Sequence, residues 1–388
     1  MREKTLLVQA GRPDQDTPHQ VNPALVRAST VLFPTVEAMQ ETRQRREAGE
    51  QIFSYGVRGT PTTHALEDAV TVLEQGDRTL IYPSGLTAVA VVLLTFARPC
   101  DHVAIIDTVY PPVRHLCNDY LASRGVEVSY FAPSPEGMKA VLQPKTRLVL
   151  AETPGSGTFE VPDIRALAAM AHENGSLLAV DNTWASGLFF KPLTQGADIS
   201  IQAATKYICG HSDTMLGTVT VSGAAFMPLF ETTTAMGLCA SPTDCYDALK
   251  GLRTLEVRLR RHEESALRVA RWLAGQDTVA DVYHPALEGS VGHSIWKRDF
   301  TGSSGLFAFS LAPELAARST ALVNTLSHFG IGASWGGFES LALPVKPGPI
   351  RTASAWAGPE TIIRLHVGLE DTDDLIEDLD RAIRRIST

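Results

Sequence analysis

The chain has 388 residues, 44% hydrophobic and 20% charged, and its 43 Asp and Glu against 34 Lys and Arg leave a net charge of −9. That length can bury a sizeable core in two or three domains, which excludes a disulfide-stapled mini-protein and fits an ordinary globular protein. The acidic balance argues against nucleic-acid and membrane-surface partners, both of which need a basic face.

In chain order, residues 1–60 carry Pro13, Pro18, Pro23 and Pro34 and are predicted to form an irregular arm that wraps on something rather than folding alone. The opening Met1-Arg2-Glu3-Lys4 leads into few apolar residues and no small-residue cleavage site, so a cytoplasmic protein is expected. Between about residues 60 and 225, apolar runs at 79–82, 102–106, 126–130, 148–151, 177–180, 199–201 and 218–221 have strand length and composition. They alternate with helical patterns such as 161–174, where Ile164, Leu167, Ala168 and Ala171 share a face. The alternation predicts an α/β fold with a mostly parallel seven-stranded sheet covered on both faces. The apolar run 88–97 is about half a membrane span. The basic stretch 258–271, interleaved with Glu263 and Glu264, is predicted to be a solvated helix face. Beyond about residue 245 come a long charged helix, strands at 305–311 and 363–367, and a last helix with Leu375, Leu379, Ile383 and Ile386 on one side. The expected division is an arm over 1–60, a large domain over 61–245 and a smaller α+β domain over 246–388. Five cysteines without a Cys-x-x-Cys pair fit free buried thiols and give no metal site.

In open parallel sheets, ligands bind beyond the carboxyl ends of the strands. Three junctions there carry chemistry. Pro83-Ser84-Gly85-Leu86 opens an apolar helix, and reads either as a phosphate cradle of backbone N–H groups or as an ordinary Ser N-cap. Asp181-Asn182-Thr183 leaves a hydrophobic strand, so Asp181 is a cap residue or a buried carboxylate in need of a cation. Lys206 follows Gln202-Ala203-Ala204-Thr205, where desolvation would lower its pKa and make the amine a nucleophile. An anion anchor, a carboxylate and an amine together suit pyridoxal phosphate.

With these in place, the chain resembles the Cys/Met-metabolism family of fold-type I pyridoxal-phosphate enzymes. The resemblance runs through Tyr55-Gly56-Val57-Arg58-Gly59-Thr60-Pro61-Thr62, Pro83-Ser84-Gly85, Asp107-Thr108-Val109-Tyr110, Asp181-Asn182-Thr183-Trp184, Gln202-Ala203-Ala204-Thr205-Lys206-Tyr207 with Gly210-His211-Ser212-Asp213, Ser334-Trp335-Gly336-Gly337-Phe338-Glu339-Ser340 and Ile363-Arg364-Leu365-His366-Val367-Gly368-Leu369. It implies Lys206 as the Schiff-base lysine, Asp181 as partner of the pyridine nitrogen and Tyr110 as the aromatic stacked on the ring. Ser84, Gly85, Leu86 and Thr205 would hold the phosphate, and Tyr55 would reach it from a neighbouring subunit. Arg364, with Ser334 and Trp335 beside it, would clamp the substrate α-carboxylate, and Tyr110 would also face substrate. The implied assembly is a homo-oligomer, a dimer of dimers. Two departures stand out: Val57 occupies a position where relatives carry arginine, so Arg58 serves either phosphate or substrate, and Ala203 replaces a common serine.

The resemblance implies a carbon–sulfur lyase acting on a small amino-acid thioether. Ala333-Ser334-Trp335 in place of Glu-Ser-Leu points to elimination at Cβ, with L-cystathionine giving homocysteine, pyruvate and ammonia on the route to methionine. Cystine and other cysteine S-conjugates stay open as substrates. The alternative within the family is a γ-lyase or γ-synthase. Outside it, Gly332-Ala333-Ser334-Trp335-Gly336 with Glu339 and His366 follows the order of an α/β-hydrolase triad, but too little chain follows Ser334 for the units that fold requires. A non-catalytic sensor would need an added basic module, and no segment is left over for one.

Overall fold

The computed structural model describes residues 2–12, 18 and 20–387, so Met1, Pro13 and the rest of 13–17, residue 19 and residue 388 lie outside the described residues. The seven predicted runs form one sheet: β1 (Arg78–Tyr82), β2 (His102–Ile106), β3 (Glu127–Phe131), β4 (Thr146–Glu152), β5 (Leu177–Asp181), β6 (Ile199–Gln202) and β7 (Gly217–Val221). Their order is β1-β7-β6-β5-β4-β2-β3. β7 runs antiparallel to β1 and β6, while the remaining pairs are parallel. Strands buried on both faces favour continuous apolar sequence, as in the wholly buried β2; β7 is also wholly buried but alternates Thr with Val.

The covering helices are set by caps and by one apolar stripe. Asp163 Oδ1 accepts from the Ala166 amide at 3.2 Å to start the helix Ile164–Glu173, whose buried residues are the anticipated Ile164, Leu167, Ala168 and Ala171. Pro61 fills the first turn of the helix Pro61–Glu74, behind the Thr60 cap. The 1–60 segment is less irregular than its prolines suggest. The helix Glu3–Gln9 buries Leu7, whose carbonyl accepts from Arg253 Nη1 at 2.8 Å, while the helix Val36–Glu47 has no buried residue.

A second sheet comprises β8 (Val279–Tyr283), β9 (Leu306–Leu311), β10 (Gly330–Ile331), β11 (Leu341–Val345) and β12 (Ile362–His366), in the order β10-β11-β12-β9-β8. The helices Leu255–Ala274 and Thr372–Ser387 pack against it around Phe307, Phe309, Leu365, Leu375 and Leu379. Only β9 and β12 were legible as strands; β8 is half-exposed, β10 is two residues long and β11 contains Pro344. The basic stretch on the long helix is not wholly solvated. Arg258 is buried and donates from Nη2 to the Gly251 carbonyl at 2.7 Å and from Nε to Thr254 Oγ1 at 3.1 Å. Cys117, Cys209 and Cys245 are buried, but Cys100 and Cys239 are exposed, which corrects the expectation for those two.

Candidate active site

Parallel strands end together, and the ends of β2, β4, β5 and β6 bring Asp107, Glu152, Asp181 and the Lys206 loop to one edge. Lys206 lies between β6 and β7, which pair antiparallel with Gln202 opposite Thr218. Thr205 closes the neck of that loop: its Oγ1 accepts from the Leu216 amide at 2.8 Å and donates to the Leu216 carbonyl at 3.1 Å. Lys206 Nζ donates to Ser334 Oγ at 2.7 Å and sits 5.1 Å from the centroid of the Trp335 ring. Burial pushes the Lys206 pKa down to about 8, the Arg364 cation adds to this, and Asp181 opposes it.

Asp181 ends β5 in register with Glu152 at the end of β4. Its Oδ1 accepts from the Thr183 amide at 3.0 Å and the Thr183 hydroxyl at 2.5 Å, and the same Thr183 oxygen accepts from the Ala203 amide at 2.9 Å. Burial raises the Asp181 pKa, against the bonds from Thr183 and the charge of Lys206. Glu152 is raised well above its ordinary value by burial and by Asp181 beside it. It accepts from Ser156 Oγ and from the Tyr110 amide, each at 2.6 Å. Two carboxyls so placed share the site with one proton or with a cation. Glu152 and Thr183 were not singled out from sequence. Glu152 could have been, since it ends a predicted strand at the ligand edge as Asp181 does.

The Pro83-Ser84-Gly85-Leu86 segment starts the helix Gly85–Phe96, and Ser84 is its N-cap: Oγ accepts from the Thr87 amide at 3.1 Å. The amides of Gly85 and Leu86 have no intrahelical acceptor. A Cβ on Gly85 would lie 2.5 Å from the Ala203 Cβ, so a missing side chain on one element and a one-carbon side chain on the other let the helix begin against the Lys206 loop. The Thr205 hydroxyl donates to the Leu216 carbonyl, while Ser84 Oγ accepts from Thr87 and stands with the amides of Gly85 and Leu86 at the helix start.

Tyr110 is half-exposed next to this edge, and burial, Glu152 and Asp181 raise its phenol pKa while Arg364 opposes them, so the hydroxyl is protonated at neutral pH. Arg364 stands on β12 and donates from Nη2 to the carbonyls of Gly332, Ala333 and Ser334 at 3.3, 3.0 and 3.2 Å. That turn passes over Lys206. Gly336 has φ +88°, a conformation that favours glycine, and a Cβ there would lie 2.9 Å from Lys206 main-chain atoms. Behind the turn, His366 Nε2 is 3.1 Å from both the Gly336 amide and the Gly337 carbonyl, and burial and His262 push its pKa to about 3. The hydrolase alternative fails on this geometry: Ser334 bonds Lys206, His366 is buried behind the turn, and the Glu339 carboxylate is taken by Ser212 Oγ at 2.6 and 2.7 Å.

Lys206, Asp181, Tyr110, Gly85, Thr205, Ser334, Trp335 and Arg364 thus fall around one edge. Tyr55 and Arg58 do not join them within one chain. Tyr55 is 47% exposed and lies with Arg27, Ser29 and Cys239 around a separate hollow; Arg58 ends the short turn Gly56–Arg58, and burial and Arg46 lower its pKa.

The donor set fits pyridoxal phosphate. A helix start held open by Gly85 suits a phosphate, the buried Asp181 carboxyl suits a protonated ring nitrogen, the Tyr110 ring suits stacking, and a lysine with its pKa near 8 suits a carbonyl partner.

Comparisons with known proteins agree. A cystathionine β-lyase of Escherichia coli is 45% identical over 98% of this chain and 98% of its own. One from Salmonella typhimurium is 42% identical over 98% of each. A crystal structure of cystathionine γ-synthase from Xanthomonas oryzae in complex with cystathionine superposes with a TM-score of 0.89 at 32% identity, covering 100% of this chain and 99% of that one. The model of the Cys/Met metabolism PLP-dependent enzymes matches residues 4–384. With a fold-type I architecture and a site built for its cofactor, this chain belongs to the Cys/Met metabolism family of PLP-dependent enzymes.

Proposed function

We propose that this chain is a carbon–sulfur β-lyase that cleaves L-cystathionine to homocysteine, pyruvate and ammonia. The observation that carries the reading is Lys206 Nζ held at 2.7 Å by Ser334, under Trp335 and beside a turn without a carboxylate, in a chain 45% identical to a cystathionine β-lyase. When bound, pyridoxal phosphate supplies an electron sink for the pair released at Cα.

The protein's share is positional. Arg364, anchored by Nη2 on the 332–334 carbonyls, presents its charge and remaining N–H groups to the substrate α-carboxylate. Lys206 Nζ takes the Cα proton, a task suited to an amine whose pKa is near working pH. Asp181 would pair with the ring nitrogen, Tyr110 would stack on the ring, and the amides of Gly85 and Leu86 would hold the phosphate. Rupture at Cγ would need a second proton removed at Cβ, and Ala333 and Trp335 offer no base for it. The nearest carboxylate on that segment, Glu339, is held by Ser212.

In this reading Tyr55 and Arg58 complete the site of a neighbouring subunit in a dimer of dimers; the exposure of Tyr55, away from its own chain's Lys206, supports it. The functional division is an arm over 1–60, a cofactor domain over 61–245 and a small domain over 246–388. No helix among the described residues is long and apolar enough to cross a membrane, and a cytoplasmic location accords with that. Product analysis on L-cystathionine tests the reaction: homocysteine with pyruvate supports it, and cysteine with 2-oxobutyrate overturns it in favour of γ-cleavage.

A further inference from the structure

One buried carboxylate outside the set above joins the two sheets. Asp107, the residue after β2, is 1% exposed. Its Oδ1 accepts from the Thr352 amide at 2.9 Å, and its Oδ2 from the amides of Ala353 and Ser354 at 3.1 and 2.9 Å and from Ser354 Oγ at 2.8 Å. Arg114 pairs with it from the other side, and Arg351 Nε lies 3.9 Å away. Three consecutive amides converging on one anion form a nest, and the carboxylate stays below its ordinary pKa: burial would raise it, but the bonds from Thr352 and Ser354 and the charge of Arg114 outweigh that.

The placement gives the contact its meaning. Thr352–Ser354 belong to the loop that joins β11 to β12, the strand of Arg364, whereas Asp107 lies three residues before Tyr110. The small domain therefore meets the ligand edge at several points, among them Ser334 on Lys206, Glu339 on Ser212, Arg351 on Glu160 and residues 352–354 on Asp107. Arg364 is on the strand that follows the last of these.

We infer that Asp107 is a positioning residue for substrate: it pins the 351–354 segment to the turn carrying Tyr110, and so fixes the Arg364 clamp relative to the ring that Tyr110 covers. The inference rests on Arg364 as the α-carboxylate clamp. With Asp107→Asn, the nest loses its anion, and the three amides compete for one neutral acceptor. Misplacement of this kind is expected to raise KM for L-cystathionine between about tenfold and 10²-fold, with a smaller fall in kcat. Cofactor absorbance and affinity should be unchanged.

The experiment measures KM, kcat and cofactor dissociation constant for D107N, R364K and the double variant, with trypsin cleavage after Arg351 as an activity-independent readout. Support is a raised KM with intact cofactor binding, faster cleavage at Arg351, and an effect of D107N that disappears in the R364K background. If Arg351 becomes cleavable while KM stays as in the parent, or if the two substitutions simply add, Asp107 does not act through Arg364 and the inference falls. Should D107N not fold, S354A removes one donor to the same carboxylate and leaves Arg114 paired; a raised KM there supports the proposal and an unchanged one refutes it. Failure of the clamp reading is separately visible, as an R364K protein with the parent's KM.

Discussion

The Lys206 edge and the segment around Tyr55 make an instructive pair, because both carry residues expected to touch the same cofactor and they are held in opposite ways. Around Lys206 each group is fixed by neighbours: Thr205 on Leu216, Asp181 on Thr183, Thr183 on Ala203, Gly85 against Ala203. Tyr55 is 47% exposed, and the helix Val36–Glu47 nearby in sequence has no buried residue. Around Lys206 side chains are preorganised within one chain, whereas at Tyr55 the backbone is tied, Gly56 N–H to the Ser29 carbonyl at 2.8 Å, and the side chain is exposed.

The largest effect should come from Lys206→Ala. Removal of the general base alone costs about 10²–10⁴-fold in rate, so near-parent turnover in steady-state assays would break the reading of this edge. Next is Gly85→Val, which forces side-chain atoms into the 2.5 Å approach to Ala203. Overpacking of this kind typically costs about 1–3 kcal/mol, and here it should appear as weaker cofactor binding in a spectroscopic titration; unchanged affinity would mean the helix start is not the phosphate site.

Two experiments sharpen the other half of the comparison. Mixing inactive Lys206→Ala with a Tyr55→Ala variant, then exchanging subunits, should recover activity, because one hybrid site gets an intact lysine and an intact tyrosine. No recovery after verified exchange would place Tyr55 outside the neighbour's site. Arg58→Ala is expected to have a smaller effect whose kind matters more than its size: a raised cofactor dissociation constant assigns Arg58 to the phosphate in place of the arginine lost at Val57, and a raised KM assigns it to substrate. The finest effect is in pH. Burial disfavours the Lys206 cation, so its pKa is lowered to about 8 and the neutral amine is available above that value. Recombination of cofactor with the cofactor-free protein should therefore accelerate with pH and level off near 8, whereas an ordinary lysine would keep accelerating toward its usual value near 10.4.

Legibility in the sequence follows the same division. Apolar and β-branched runs of strand length mark all seven strands of the large sheet within a residue or two, from the fully buried 102–106 of β2 to the half-exposed edge strand β3. In the second sheet β8 is broken by Asp281, β10 has two residues and β11 contains Pro344, so none of these three carries such a run. Lys206, Asp181 and Gly85 could be found because each follows a legible strand. Thr183 is invisible alone, since its task is to relay between Asp181, at the end of β5, and Ala203, just past the end of β6. Arg258 looked solvated because charge pattern carries no information on which side of a helix meets a buried carbonyl. Asp107 stands within a legible motif, yet the amides that donate to it lie more than two hundred residues away.

The antiparallel β7 has a consequence for how this site can fail. Because β6 and β7 are paired neighbours, the segment bearing Lys206 leaves the sheet and returns to it beside its own point of departure, with Thr205 and Leu216 tied across the base. The lysine thus rides on a closed noose rather than on a crossover that spans the sheet. Its amide protons near the base should exchange with solvent only when the two strands themselves part, so the nucleophile's position is lost together with the sheet and not ahead of it. Small-domain contacts, by contrast, can loosen while the noose stays shut. Partial denaturation should accordingly yield a species that still captures the cofactor at Lys206 but no longer turns over substrate.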